Sequence, residues 1–100
     1  MAQKDSVFGM VSQSFPVFSN GMDQSGTIYV CEKGLVIKNE GELIRAPFEY
    51  VRNLMHVSDM PLGKIGVKME AYDQVGTRYN LAFGINDTHF SSLKKLCPQS

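Results

Sequence analysis

From Lys64 to Tyr72 the chain alternates with a period of two. Ile65, Val67, Met69 and Ala71 fall on one side of an extended backbone, and Lys64, Lys68 and Glu70 fall on the other. A strand with one buried face and one wet face reads this way. Thr77 to Phe83 answers it, with Tyr79, Leu81 and Phe83 directed inward and Arg78 and Asn80 outward. Gln74–Val75–Gly76 makes a three-residue connection that places glycine where a left-handed backbone is needed. That loop length sets Ala71 opposite Tyr79, Met69 opposite Leu81 and Val67 opposite Phe83. Glu70 then lies opposite Asn80 and diagonal to Arg78, a placement worth roughly a few tenths of a kcal/mol. A slip of one residue puts the apolar partners on opposite faces, so an antiparallel hairpin in this register is the expectation.

The rest of the chain extends the same theme. Thr27–Cys31 and Leu35–Asn39 are separated by Glu32–Lys33–Gly34. A two-residue turn at Lys33–Gly34 pairs Val30 with Ile37 and gathers Ile28, Val30, Leu35 and Ile37 on one face. Asn39–Glu40–Gly41–Glu42 turns into Leu43–Ala46, which Pro47 ends at an edge or a bend. Tyr50 to Ser58 alternates Val51, Met55 and Val57 against Arg52 and His56, and Asp59 to Gly63 forms another turn. Earlier in the chain, Val7 to Val11 reads as a weak strand and Ser12–Gln13–Ser14 follows it. After the apolar Phe15–Pro16–Val17–Phe18, residues 19–26 have the composition of a loop. Residues 1–6 are polar and expected to be flexible. The end differs: Phe90, Leu93, Leu96 and Cys97 stand at helical spacing behind three cap candidates, Asn86, Asp87 and Thr88. Lys94 and Lys95 suit the last turn, and Pro98 stops a helix at 88–97, leaving 98–100 as a tail. The expected class is mainly β with one C-terminal helix and about six or seven short antiparallel strands.

Charge and composition limit the functions on offer. The chain has 100 residues, 43% of them hydrophobic, enough for one packed domain over 1–100 and too many for disorder. Ten basic residues balance ten acidic ones, so no broad attraction to nucleic acid or anionic membrane is expected. Tyr29, Phe48, Tyr50 and Tyr72 offer stacking faces beside Arg45, Arg52, Lys64, Lys68 and Arg78. Glu42, Glu49, Glu70 and Asp73 dilute that surface, and the aromatics read as core packing with the charges as a solvated face. No segment has the ~18 apolar residues of a membrane helix, and MAQKDSVF lacks a secretion signal, which points to the cytoplasm.

Catalytic and metal-binding patterns are equally sparse. His56 and His89 are the two imidazoles, too few for a histidine cage. His56, Ser58 and Asp59 sit too close along one strand and turn to converge on a substrate atom. Phosphate-loop, zinc-protease and nucleophile-elbow motifs do not occur. Cys31 and Cys97 form no C-x-x-C pair and read as two reduced thiols, on a strand and at a helix end, with a Cys31–Cys97 disulfide open if those elements meet. Asn86–Asp87–Thr88 matches a glycosylation sequon, but a helix cap explains it better. The expectation is therefore no enzyme, no catalytic residue, no cofactor and no metal.

Gly26–Thr27–Ile28–Tyr29–Val30–Cys31–Glu32–Lys33–Gly34–Leu35–Val36–Ile37 resembles the G-x-[LI]-Y-[LV]-T-x-x-x-L-x-[IF] hairpin of GRAM-like domains. Tyr79–Asn80–Leu81–Ala82–Phe83 followed by a helix is similar to the last strand and plugging helix of the pleckstrin-homology-like superfold. The resemblance covers about residues 26–97. It implies a bent barrel capped at one end by the helix, serving as a binding or adaptor module. Fold alone does not supply the ligand.

Phosphoinositide-binding members cluster Lys and Arg around the first hairpin. Here the connection from Ser14 to Ser25 holds no Lys or Arg and does hold Asp23, while Lys33 and Lys38 are interleaved with Glu32 and Glu40. The usual headgroup site is thus not expected, although a membrane contact through apolar loop tips stays open. Apolar residues beside prolines near turns are the positive signal. Phe15, Val17 and Phe18 in one segment, with Met60 and Leu62 in another, are the expected partner-binding residues unless both segments simply fold over an open barrel end. The sheet edge near Pro47 is a second candidate, for an added peptide strand. A non-catalytic protein-interaction or adaptor module with an unidentified protein partner follows. Peripheral lipid binding through the apolar loops is the alternative, and a small barrel enclosing an apolar ligand is the third. Self-association is compatible with a chain this small and neutral.

Overall fold

The computed structural model describes residues 4–19, 23–39 and 41–97. Along them run β1 (Lys4–Asp5), β2 (Gly9–Phe18), β3 (Gln24–Cys31), β4 (Gly34–Asn39) and β5 (Glu42–Pro47). After a 3-10 turn at Phe48–Tyr50 come β6 (Val51–Asp59), β7 (Lys64–Tyr72), β8 (Arg78–Asn86) and the helix α1 (Asp87–Leu96). The protein is mainly β with one C-terminal helix. The strands form an antiparallel sheet in the order β5-β4-β3-β2-β8-β7-β6, and β1 pairs with β2. Two meanders meet where β2 touches β8 through the single pair Phe18 and Gly84. Among the described residues the end strands β5 and β6 do not pair with each other, so the sheet is not closed.

The β7–β8 hairpin has the register its alternation requires. Ala71 faces Tyr79, Met69 faces Leu81, Val67 faces Phe83 and Glu70 faces Asn80. Arg78 Nε reaches Glu70 Oε1 at 3.0 Å. Gly76 has φ +89°, the left-handed conformation the three-residue loop demands. The Asp73 carboxylate accepts the Thr77 and Val75 N–H groups at 2.9 and 3.0 Å and closes the loop from within. Strand β8 continues three residues past Phe83 and buries Ile85.

Other expectations are corrected. The β3–β4 turn is Glu32–Lys33, not Lys33–Gly34, and Val30 pairs with Leu35 and Ile28 with Ile37. The shift is two residues, so the four predicted core residues keep their common face. Gly34 is needed for close approach instead: a Cβ there would stand 2.5 Å from the Ala46 carbonyl oxygen and 2.9 Å from the Phe8 ring. Strand β2 runs unbroken from Gly9, taking in Ser12–Gln13–Ser14, because β3 pairs along it and ladder pairing outweighs local propensity. Pro16 is tolerated since β8 meets β2 only at Phe18, which leaves the stretch beside Pro16 without a ladder partner on that edge among the described residues. Residues 4 and 5, expected to be flexible with the rest of 1–6, form β1; residues 1–3 lie outside the described residues.

Strand β6 departs most from its reading. Asn53 has φ +53°, and irregularities fall between Arg52 and Met55 and between His56 and Ser58. Val51 and Leu54 are the buried pair, while Met55 and Val57 are about half exposed. The same shift places Arg52 opposite Glu70 and His56 opposite Val67, hence on different sides of the sheet.

The helix starts one residue earlier than expected. Asn86 occupies the cap position with no side-chain cap bond, and the Asp87 N–H donates to the Gly63 carbonyl at 3.2 Å. Leu93 and Cys97 are buried, and Phe90 and Leu96 pack beside them. Pro98 lies outside the described residues. The inward faces of both meanders and the helix share one core, centred on Val17, Ile28, Leu35, Ile37, Leu54, Val67 and Ile85. A second, smaller cluster of Phe8, Cys31 and Val36 lies apart from it, with Val11 and Tyr29 against its sides.

Candidate functional site

The five residues expected to meet a partner do not form one surface. Phe15 and Val17 point into the core, 4% and 0% exposed, because alternation along β2 sends every second residue inward. Neither presents a face to a partner, which corrects that expectation. Phe15 instead stacks on the His89 ring, with centroids 4.8 Å apart. Phe18 is half-buried at the joint of the meanders, where Lys64 Nζ lies 4.6 Å from its ring centroid. Met60 lies across the facing pair Gly66 and Gly84, and a Cβ on Gly84 would stand 2.7 Å from its terminal methyl carbon. Leu62 alone is thrown outward, 72% exposed at φ +63°. What is accessible is therefore Leu62, with Met60 two residues before it and Met55 and Val57 earlier along β6.

The residues weighed for a catalytic triad are not brought together. His56 Nε2 is 3.0 Å from Asp59 Oδ1, a pair that carries opposite charges when the imidazole is protonated, and its ring meets Phe90 edge-on at 6.4 Å. Ser58 is directed to the other side, against Gly66.

A cleft of about 520 Å³ lies where no site was expected, on the outer face of β3, β4 and β5. Its origin is the segment Lys4–Phe8, which crosses that face. Phe8 packs on Cys31 and Val36, and the Lys33 N–H donates to the Phe8 carbonyl at 3.2 Å. Asp5 pins the crossing. Its carboxylate accepts the Val7 and Phe8 N–H groups at 2.9 and 2.8 Å and the Arg45 fork at 3.1 to 3.2 Å. The Arg45 guanidinium, followed by the backbone donors, holds the Asp5 carboxyl below the usual carboxylate range against the opposing effect of burial. Burial pushes the Cys31 thiol up, aided by the Asp5 charge, so it stays protonated on the cleft floor. Cys97, deep against the main core, is pushed up to about 11 by burial alone. Both cysteines are thiols.

One signal for this cleft was present in the sequence. Gly34–Leu35–Val36–Ile37 is apolar without alternation, and all four residues are buried. A strand buried on both faces needs a cover on each. The core covers Leu35 and Ile37, and the N-terminal segment covers Val36. The partnership of Asp5 and Arg45 carries no such signal, since forty positions separate them.

Comparison of the chain with protein-family models, with curated proteins and with solved structures finds no match.

Proposed function

We propose that this chain is a non-catalytic protein-interaction module of pleckstrin-homology-like type, working in the cytoplasm. The order of the two meanders and the helix packed behind the last strand support the family reading. The function rests on one observation: Met55, Val57 and Leu62, 51%, 50% and 72% exposed, follow one another along an end strand and its turn. Val7, Met10, Leu43 and Val75 are exposed as well, but Met55, Val57 and Leu62 fall together on one strand and the turn that follows it, where a partner could cover all three. Strand β6 is unpaired on its outer edge among the described residues, so a partner would meet apolar side chains and ladder groups together. Two buried thiols suit a reducing compartment.

Lipid binding through loop tips gains less support. Leu62 and Val75 are the most exposed apolar tips, and they lie at opposite ends of the nine-residue strand β7. At about 3.3 Å per residue they stand roughly 30 Å apart, so both could meet one membrane only with β7 lying along its surface. An enclosed apolar ligand would have to displace the side chains that fill the core.

The test is capture of partners from lysate of the source cell by the wild-type chain and by the Val57→Ser/Leu62→Ser double variant. A partner held by the first and lost by the second supports the reading. Equal capture by both removes the β6 ridge as the contact surface. Light scattering identifies a second copy of the chain as the partner if the wild type alone dimerises, and vesicle sedimentation that depends on Leu62 would favour the lipid alternative.

A further inference from the structure

We infer that the cleft on the outer face of β3–β5 binds a small amphipathic organic anion, its charged group between Lys38 and Arg45 and its apolar body on Val36, Tyr29 and Leu43. The site is separate from the β6 ridge and stands independently of the partner reading.

Charge is the first ground. Lys4, Lys38 and Arg45 line the cleft, against the single carboxylate of Asp5. Three cations less one anion leave a formal +2 there, in a chain whose total is zero. Asp5 is engaged by two backbone N–H groups and by Arg45 Nε and Nη2, so that pair balances itself, Lys4 and Lys38 carry the net charge, and the remaining N–H groups of the Arg45 fork are left to donate to a ligand. Glu32 and Glu42 stand outside the lining: Glu32 lies against Gly9 with its charge felt at Cys31, and Glu42 shares the adjoining pocket with Lys38 and Leu43.

Spacing is the second. Val36 pairs with Arg45 and Lys38 with Leu43, so Lys38 and Arg45 are diagonal neighbours on one face. Diagonal neighbours on adjacent strands are about 7–8 Å apart, a separation that two long cationic side chains close around one carboxylate, phosphate or sulfonate. Lys38 Nζ is 6.0 Å from the Tyr29 ring centroid, which keeps the ammonium above the cleft floor.

Shape and surface are the third. The floor is apolar, with Val36 and Cys31 buried and Leu43 about half exposed at the rim. The volume of about 520 Å³ falls in the range of small-molecule sites, about 300–1,000 Å³. The Asp5–Arg45 bridge runs from the segment before β2 to β5 and closes one end, which favours a compact ligand over a continuous chain.

The experiment uses 1-anilinonaphthalene-8-sulfonate as probe on the full chain, with decanoate as competitor. Lys38→Glu and Leu43→Asp alter exposed side chains, and circular dichroism checks that each variant keeps its fold. Saturable one-to-one binding is expected, weakened about tenfold or more in either variant, weakened at high salt and unchanged in Leu62→Ser. Displacement by monomeric decanoate, with none by phosphatidylglycerol vesicles, identifies a free small anion as the ligand class. The inference is overturned by absence of saturable binding, by equal affinity in Lys38→Glu, by loss in Leu62→Ser alone, or by displacement with vesicles and not with decanoate.

Discussion

Asp5 ties the N-terminal segment to β5 while Phe8 anchors it by burial, and the chemistry of Asp5 makes its share of that hold dependent on pH. Its carboxyl is depressed below the ordinary value of 3.8 by the Arg45 fork and two backbone donors. A depressed folded-state value means the folded chain favours the ionised form. The stabilisation is present above the unfolded value, near pH 4, and is lost as pH falls through the folded value. Asp5→Asn keeps the shape and removes the charge, and is expected to cost about 1–2 kcal/mol near neutral pH, by analogy with charged hydrogen bonds. Thermal melts of wild type and variant should converge as pH drops below about 4; a gap of constant width would show that Asp5 acts through shape alone. Asp73 shifts in the same direction, chiefly through the Thr77 N–H, so some loss of stability in acid should remain in the Asp5 variant.

At the scale of elements, strictness of pattern decided what could be read from sequence. The β7–β8 hairpin was legible to the residue because its alternation is unbroken and its loop has glycine where φ is positive. The β3–β4 hairpin was legible in its faces but two residues off in its pairing, because Gly34 reads as a turn glycine and serves as a close-approach glycine. Strand β6 was misread because the irregularity at Asn53 changes which residues face the core, and an extra residue leaves no mark on composition. In the candidate ligand cleft, the second covered face of β4 was readable from its apolar run, whereas the contact of Asp5 with Arg45 was not, being set by tertiary structure. Two substitutions test these assignments by denaturant unfolding. Gly34→Ala should destabilise by about 1–3 kcal/mol through overpacking on Ala46 and the Phe8 ring. Asn53→Val should cost about 1–2 kcal/mol, because a β-branched residue resists the left-handed conformation, whereas Asn53→Gly should cost less, losing only the Asn53 Nδ2 bond to Glu70.

Over the whole molecule, side chains join what the ladder does not. The two meanders share one register pair, Phe18 with Gly84, yet their inward residues form a single core with Leu93 of α1. Leu93 is fully buried, so Leu93→Ala should cost about 2–5 kcal/mol and lower the melting temperature as one transition. Separate transitions for the meanders would show that the ladder, not the core, carries their cooperation. The bridge from Asp5 to Arg45 also orders events in time. A chain made from its amino end presents Asp5 forty residues before Arg45 exists, and presents Phe8 before Cys31 and Val36. The segment synthesised early is thus seated late, waiting for a surface that the ribosome has not yet built.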